Sequence, residues 1–327
     1  MRWRLVAALL VVAVPVLCGC AGSQAATVRA TPSSAPNPSP IAITPSPLPP
    51  PTQRAETPLP VVLEEAAAAS AGGNLYVIGG FDAAGNSLRT VWVFDGTAWH
   101  AGPRLPLGLD HTAAATLGDR IYVAGGHSFG RDSARVFRLD GGAWTELSPM
   151  HHARGGHTLL AAMGRLYAIG GNTAAVNVAP VEAYDPATGA WSDVSSFPSP
   201  RNHVAGFVFG NSVCAAGGRP PTKIRVDCFD VEHSAWGRLP DLPIATSGAG
   251  ATTLDDGRVV IMGGQDAQET NIVNAAELLG PNAWSVLGPM LVPRHGFELA
   301  PFEGRAWACG GGSLPGLHPV AACTSIG

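Results

Sequence analysis

The run from His157 to Pro198, HTLLAAMGRLYAIGGNTAAVNVAPVEAYDPATGAWSDVSSFP, contains one complete four-stranded unit. HTLLAAM is a short apolar run, and MGR supplies a glycine-containing turn. RLYAI alternates and is rich in β-formers, and Gly170-Gly171 ends it. A polar loop leads to VEAYD as a third strand, PATG turns the chain, and Ala190-Trp191-Ser192 opens a fourth. Each run has the length of an ordinary strand and is bounded by turn residues. One such sheet cannot bury both of its faces, so copies must stack beside it.

The copies are regular. Glycine pairs stand at Gly79-Gly80, Gly125-Gly126, Gly170-Gly171, Gly217-Gly218, Gly263-Gly264 and Gly310-Gly311, in steps of 46, 45, 47, 46 and 47. A tryptophan follows the first glycine by 20, 19, 21, 19 and 21 residues, at Trp99, Trp144, Trp191, Trp236 and Trp284. The segment before each pair repeats as NLYVIGG, RIYVAGG, RLYAIGG, SVCAAGG, VVIMGG and AWACGG. Two markers locked in phase in this way resemble the kelch repeat, with Tyr184 and Trp191 close to its tyrosine–tryptophan spacing. The resemblance covers roughly residues 55 to 327. It implies an all-β chain, a six-bladed kelch-type β-propeller with four antiparallel strands per blade. The Gly-His and Trp-Asp signatures of the other propeller repeat of this period are not regular here.

Closure can be read from the ends. The sixth repeat runs through HGFELAPF, RAWACGG and a third strand around Ala321 to Ser325, and the sequence then stops short of a fourth. Counting back 26 residues from Gly79, the spacing of each tryptophan from the next glycine pair to within one residue, lands on Gln53. QRAETPLP therefore takes the place of a fourth strand, and pairing it with the C-terminal strands closes the last blade and removes two exposed edges. The propeller is expected over 52–327; an open arc is the alternative.

Residues 1–20 read as a signal peptide with a lipobox. Arg2 and Arg4 make a positive end, Leu5 to Leu17 are apolar but short for a membrane span, and Leu17-Cys18-Gly19-Cys20 follows. The last four residues resemble a bacterial lipobox, which implies cleavage after Gly19 and lipidation of Cys20. An ordinary secretory signal would also carry small residues there. Residues 21–51, rich in Pro, Ser and Thr, lack the apolar side chains for a core and read as a disordered linker. Extended as polyproline II, such a spacer reaches about 100 Å. The expected protein is thus exported and lipid-anchored to the bacterial cell membrane or outer envelope. With a net charge of −4 and few Lys or Arg, neither a strongly basic face nor a nucleic-acid partner is expected. A monomer is expected.

Four further cysteines fit export. Cys214 and Cys309 lie on second strands, and Cys228 and Cys323 lie fourteen residues on, on the following third strands. Adjacent antiparallel strands bring such pairs within disulfide reach if the registers match, giving Cys214–Cys228 and Cys309–Cys323. Free thiols or a metal site are the alternatives. Without Cys-x-x-Cys, and with the pairs on different blades, zinc is not expected.

In a propeller of this kind the first strand of each blade lines a central channel. Its entrance and the loop after the glycine pair open on one face. That rim carries Asp110, His111, Arg154, His157, Arg201, Asn202, His203, Ser247, Arg294 and His295 at first-strand starts. The loops add Asp82, His127, Arg131, Asn172, Arg219, Gln265 and Asp266. Arg and His near the strand starts also belong to the ordinary kelch pattern as loop-to-strand hydrogen bonders. As a set, Asp110, His111, Arg154, His157, Arg201, His203, Arg294 and His295 form the candidate ligand-binding face. His151, His152 and His157 are histidine-dense but have no carboxylate near them in sequence, so no dedicated metal site is expected. A ring of His111, His157, His203 and His295 could catch a divalent cation adventitiously.

Two functional classes fit. The first is a surface-facing or periplasm-facing binding module for a protein or glycan, docked on the loop face, with no cofactor. The second is an enzyme. Galactose oxidase, an exported kelch-type propeller, needs spare tyrosines for copper. Here Tyr76, Tyr122 and Tyr167 hold one repeat position and Tyr184 another, so none is left. The six-bladed sialic-acid mutarotase is similar in blade number, size and export, with arginines to hold a sugar carboxylate and an acid–base pair at the anomeric centre. It is the alternative, without a motif match.

Overall fold

The computed structural model describes residues 39–40, 48–174, 176–280 and 283–327. The lipobox, Cys20 and most of the linker lie outside them. All regular elements among the described residues are β-strands.

In five blades the glycine pair follows the end of the second strand of a four-stranded antiparallel sheet, as its turn chemistry predicts. In the third the strand continues through Gly170-Gly171 to Thr173 and pairs there with Val176-Asn177. The third blade is built of Gly155–Ala162, Arg165–Thr173, Pro180–Asp185 and Ala190–Ser196, in that order from channel to rim. The other four complete repeats follow the same order. The sixth blade takes Leu299–Phe302, Arg305–Cys309 and Cys323–Ile326 from the C-terminus and Gln53–Glu56 from the N-terminus. Gln53 stands opposite Ile326 and Glu56 opposite Cys323, antiparallel, so the closure read from the sequence is present. Two linker residues, Ser39 and Pro40, pair in parallel with Gly237 and Arg238 on an outer strand.

The repeated tryptophans explain how blades follow one another. Each sits at the start of a fourth strand and donates its indole N–H to the preceding blade's outer segment. Trp144 reaches Pro103 O (2.7 Å), Trp191 Ser148 O (3.1 Å), Trp236 Ser195 Oγ (2.8 Å) and Trp284 Pro240 O (3.0 Å). Trp99 in the first blade reaches Thr57 O at 3.0 Å, just past the N-terminal strand. That strand therefore serves as the outer strand of a preceding blade in this respect too.

The glycine pairs have a second role besides ending strands. In every blade the second glycine donates its N–H to a carbonyl of the next blade, at 2.8–3.0 Å: Gly80 to Leu109, Gly126 to Arg154, Gly171 to Arg201, Gly218 to Thr246, Gly264 to Arg294 and Gly311 to Leu63. The circle closes on itself. At Gly170 and Gly171 φ is 71° and 88°, and a Cβ at Gly170 would lie 2.7 Å from Arg201 O. Only glycine combines this backbone with so close an approach.

The two disulfides form as expected, Cys214–Cys228 and Cys309–Cys323, with Cα–Cα distances of 4.0 and 4.1 Å across directly opposed strand positions.

The residues whose carbonyls accept from the glycine pairs hold the three arginines, and here the structure corrects the sequence reading. Arg154, Arg201 and Arg294 do not stand at the rim; all three are fully buried. Each long side chain turns into its own blade and ties the second and third strands together. Arg154 donates to Gly170 O, Pro180 O and the carboxylate of Glu182 (2.6 Å). Arg201 donates to Ser199 O, Ala215 O and Gly217 O, and pairs with Asp227 at 3.0 Å. Arg294 meets Ala308 O, Gly310 O and Ala322 O, with Thr324 Oγ1 where the other two blades have an acid. A guanidinium with several carbonyl acceptors is cheaper to bury than one without, which is why the arginine tolerates this depth. Burial still pulls the pKa of Arg201 and Arg294 down to about 10.

The fifth blade has the acid without the arginine. Glu277 is buried on the third strand, Thr246 holds the arginine position, and Glu277 Oε2 has no hydrogen-bond partner. In the first and second blades the position is apolar, with Leu63 and Leu109. Burial pushes Glu277 up to about 7, so the folded chain holds this proton more tightly than the unfolded chain, whose carboxyl titrates near 4.5. Stability is therefore lost as pH rises from about 4.5 through about 7.

Two predictions follow from this architecture. Glu277→Gln should stabilise the protein by on the order of 2–3 kcal/mol at about pH 8 and by much less at about pH 4, measured by urea unfolding at both. An effect independent of pH would mean that Glu277 is not the strained acid. Removing residues through Thr57 should lower the melting temperature by about 6 °C or more relative to a chain starting at Leu48. Equal melting of the two chains would show that the sixth blade does not need its N-terminal strand.

Candidate functional site

The first strands enter the channel through one residue each that is equivalent in all six blades: Glu65, His111, Gly156, His203, Gly248 and Gly296. Their φ angles are all left-handed: 54°, 50°, 60°, 51°, 68° and 62°. Their backbones form a second closed circle. His111 N–H donates to Glu65 O, Gly156 to His111, His203 to Gly156, Gly248 to His203, Gly296 to Gly248 and Glu65 to Gly296, at 2.6–3.0 Å. This ring rims a central cavity of about 310 Å³, walled below by small first-strand residues such as Ala68, Ala114 and Gly206.

Three of the six ring positions are glycine, for which this backbone is free. The other three carry side chains at a cost of roughly 1 kcal/mol or more each. Those three meet: His111 Nε2 lies 3.7 Å from Glu65 Oε2, and the His111 and His203 rings are 5.1 Å apart. The intervening glycines make room. A Cβ on Gly156 would lie 3.0 Å from His203 Nδ1, and one on Gly296 would lie 2.5 Å from Glu65 Oε1.

Each histidine is oriented by the residue before it. His111 Nδ1–H donates to Asp110 (2.7 Å), and Asp110 accepts from Ser87 Oγ (2.5 Å). His203 Nδ1–H donates to Asn202 Oδ1 (2.5 Å), and Asn202 Nδ2 donates in turn to Asn177 Oδ1 (2.6 Å). His203 thus keeps Nε2 as an acceptor, and His111 turns its Nε2 toward Glu65. Arg219 Nη2 donates to Nε2 of His203 at 3.0 Å, while Nη1 holds Gln265 and Glu269. Burial opposes charge on His111, but Glu65 and Asp110 outweigh it and hold its pKa above the ordinary value. Burial, then His111 and Arg219, hold His203 well below it. Deeper in the channel, Glu298 accepts the N–H of Ala68 at 2.8 Å, and burial lifts its pKa to about 8.

Of the residues expected at the mouth, His111 and His203 are there, and Asp110 stands behind His111 as its support. The three arginines are inside the blades. His157 is 5% exposed, and neither of its ring nitrogens has a partner; burial holds its pKa well below the ordinary value. His295 is also buried; its Nε2 donates to Leu314 O (3.0 Å) and lies 3.2 Å from Glu64. Glu64 itself is pushed up to about 7 by burial and by Glu65. His151 and His152, read as lacking a carboxylate, have one from another strand: Asp193 lies 3.3 and 3.1 Å from them. With the arginines buried, the cations meant to hold a sugar carboxylate are gone, and the geometry does not support the mutarotase alternative. Sequence reasoning missed Glu65. Its signal was the repeat itself, since Glu65 precedes His111 by one 46-residue step.

The KLHDC2/KLHL20/DRC7 Kelch-repeats domain matches residues 48–218. Beta-scruin of Limulus polyphemus is 27% identical over 191 residues, 54% of this chain and 21% of that protein. Kelch-like protein terF of Aspergillus terreus is 27% identical over 189 residues, 52% and 41% of the two chains. The chain thus spans less than half the length of these relatives. The solved structure of YjhT has a TM-score of 0.70 at 18% identity, covering 83% of this chain and 99% of that one, a likeness of fold. Repeat, blade order and sequence match agree: the chain belongs to the KLHDC2/KLHL20/DRC7 kelch-repeat domain family.

Proposed function

We propose that this propeller is a binding module that docks a protein partner on its loop face. The observation that carries the reading is where the large apolar side chains are exposed. Of the eleven exposed large apolar side chains among the described residues, five stand on loops that follow glycine pairs: Phe129 (71% exposed), Val176 (67%), Leu314 (56%), Ile224 (42%) and Leu317 (39%). Apolar tips around a polar mouth suit a protein surface, whose hot spots are apolar and aromatic, better than a glycan.

The loops are also fastened to one another, which lowers the entropy lost on binding. His127-Ser128 pairs with Arg131-Asp132, and Asn172-Thr173 with Val176-Asn177, as short hairpins. Asp132 accepts from Thr173 Oγ1 and Ala174 N–H of the neighbouring loop. Arg219 links the fourth blade's loop to Gln265 and Glu269 of the fifth. Function commonly sits on such loops over a rigid scaffold.

The module is, in this reading, exported and held at the membrane by lipid on Cys20, with residues 21–51 as its tether. Two disulfides support an oxidising compartment. Among the described residues no helix is long and apolar enough to cross a membrane.

Phe129→Asp with Leu314→Asp should cut capture of a partner from envelope extracts at least about tenfold, while Met163→Asp on the opposite face leaves it intact. Equal capture by all three proteins would sink the loop-face reading. Cys20→Ser should release the protein from the membrane fraction, and retention there would rule out the lipid anchor.

A further inference from the structure

We propose that Glu65, His111 and His203 form a binding site for a divalent late first-row transition ion such as Zn²⁺ or Co²⁺ at the channel mouth. One carboxylate oxygen and two imidazole nitrogens lie within 4.8 Å of one another. Two imidazoles and a carboxylate suit zinc, cobalt and nickel, whereas Mg²⁺ and Ca²⁺ prefer oxygen. With bonds of about 2.1 Å, tetrahedral donor atoms stand about 3.4 Å apart, so side-chain movements of an ångström or less complete the coordination. Three protein ligands leave at least one position for water or a ligand group.

Proximity is not the whole argument. The metal-binding nitrogen of a ligating histidine is set by a hydrogen bond from its other nitrogen to an acceptor. Both histidines have that support independently, from Asp110 on one blade and Asn202 on another. In each case it is Nδ1–H that is held, which leaves Nε2 as the nitrogen available to an ion. Asp110 and Asn202 are themselves fixed, by Ser87 and Asn177.

The backbone supplies the second line. The ring hydrogen bonds need only glycine, as Gly156, Gly248 and Gly296 demonstrate. Side chains occur at the other three positions despite the strained φ, and all three carry metal-ligating groups that converge. Strain kept at a set of positions points to a use for them. Gly156 and Gly296, in turn, leave open the space that His203 and Glu65 fill.

Arg219 is the competitor. Its Nη2 donates to the same His203 Nε2 that an ion would take, while Nη1 keeps its bonds to Gln265 and Glu269. An ion therefore replaces one hydrogen bond and tolerates a nearby positive charge. Losing that charge should tighten binding.

The test uses the full-length chain stripped with chelator and titrated with Zn²⁺ by calorimetry and with Co²⁺ by visible absorption. One ion per chain is expected, with a Co²⁺ spectrum of nitrogen–oxygen coordination. His203→Gly and Glu65→Gln should each weaken binding at least about tenfold. His203→Gly should not lower the metal-free melting temperature, because glycine is the unstrained residue there. Arg219→Gln should tighten binding. His151→Ala, which breaks the group of exposed His151 and Asp193 with buried Glu182, should change nothing. No binding at millimolar Zn²⁺, or binding that survives His203→Gly and Glu65→Gln, overturns the proposal. So does binding lost in His151→Ala, which would place the ion on the outer surface.

Discussion

Two closed circles of backbone hydrogen bonds around the channel hold this propeller together. One links the ring residues from Glu65 to Gly296, and the other links each glycine pair to the next blade. Within a blade the ladder hydrogen bonds satisfy the backbone, but the top ends of the first and second strands would be left with buried, unpaired groups. Pairing from blade to blade satisfies them. Because a circle has no end, each bond depends on the others, and the sixth blade must be complete for the last to form. The N-terminal strand and the Cys309–Cys323 bridge both act on that blade.

The same position in six blades shows how a repeat tolerates different chemistry once its backbone is fixed. The carbonyl that receives the glycine N–H belongs to Leu63, Leu109, Arg154, Arg201, Thr246 or Arg294. Two blades pair arginine with an acid, one has arginine with threonine, one has an unpaired acid, and two are apolar. Removing one partner of a buried ion pair leaves the other desolvated, so Glu277 is strained where Glu182 is not. Replacing both partners with uncharged groups avoids that penalty, as in the first two blades, where Leu63 and Leu109 take the arginine position and Trp92 and Phe137 the acid position.

The mouth follows a different rule. Its ring keeps one backbone conformation everywhere, so side chains there are optional, and three blades have none. Glu65, His111 and His203 are therefore unneeded for closure and free to serve a ligand. The loops above present apolar tips on braced hairpins. On the proposed reading, a polar centre inside an apolar rim lets one face combine a small, specific contact with a wider docking surface.

Spacing between Gly-Gly and Trp gave six repeats and a closing segment at QRAETPLP, the kelch resemblance made them blades, and the places of the four cysteines on second and third strands gave both disulfides, provided the registers matched. Each of these depends on strand phase, and phase is written along the chain as turn residues and alternation. Cys214 and Cys228, for instance, can meet only if the strands that carry them are neighbours in register. The destination of Arg154, Arg201 and Arg294 was not legible in the same way. Spacing places a residue at the entrance of a strand, but whether its side chain points to the channel or into the blade depends on the acceptors packed around it. Nor could spacing bring Glu65 to His111 and His203, since their meeting depends on how blades turn about the axis and on glycines that leave room between them. The sequence carries the period, and the packing of one period against the next assigns each polar side chain to structure or to the mouth.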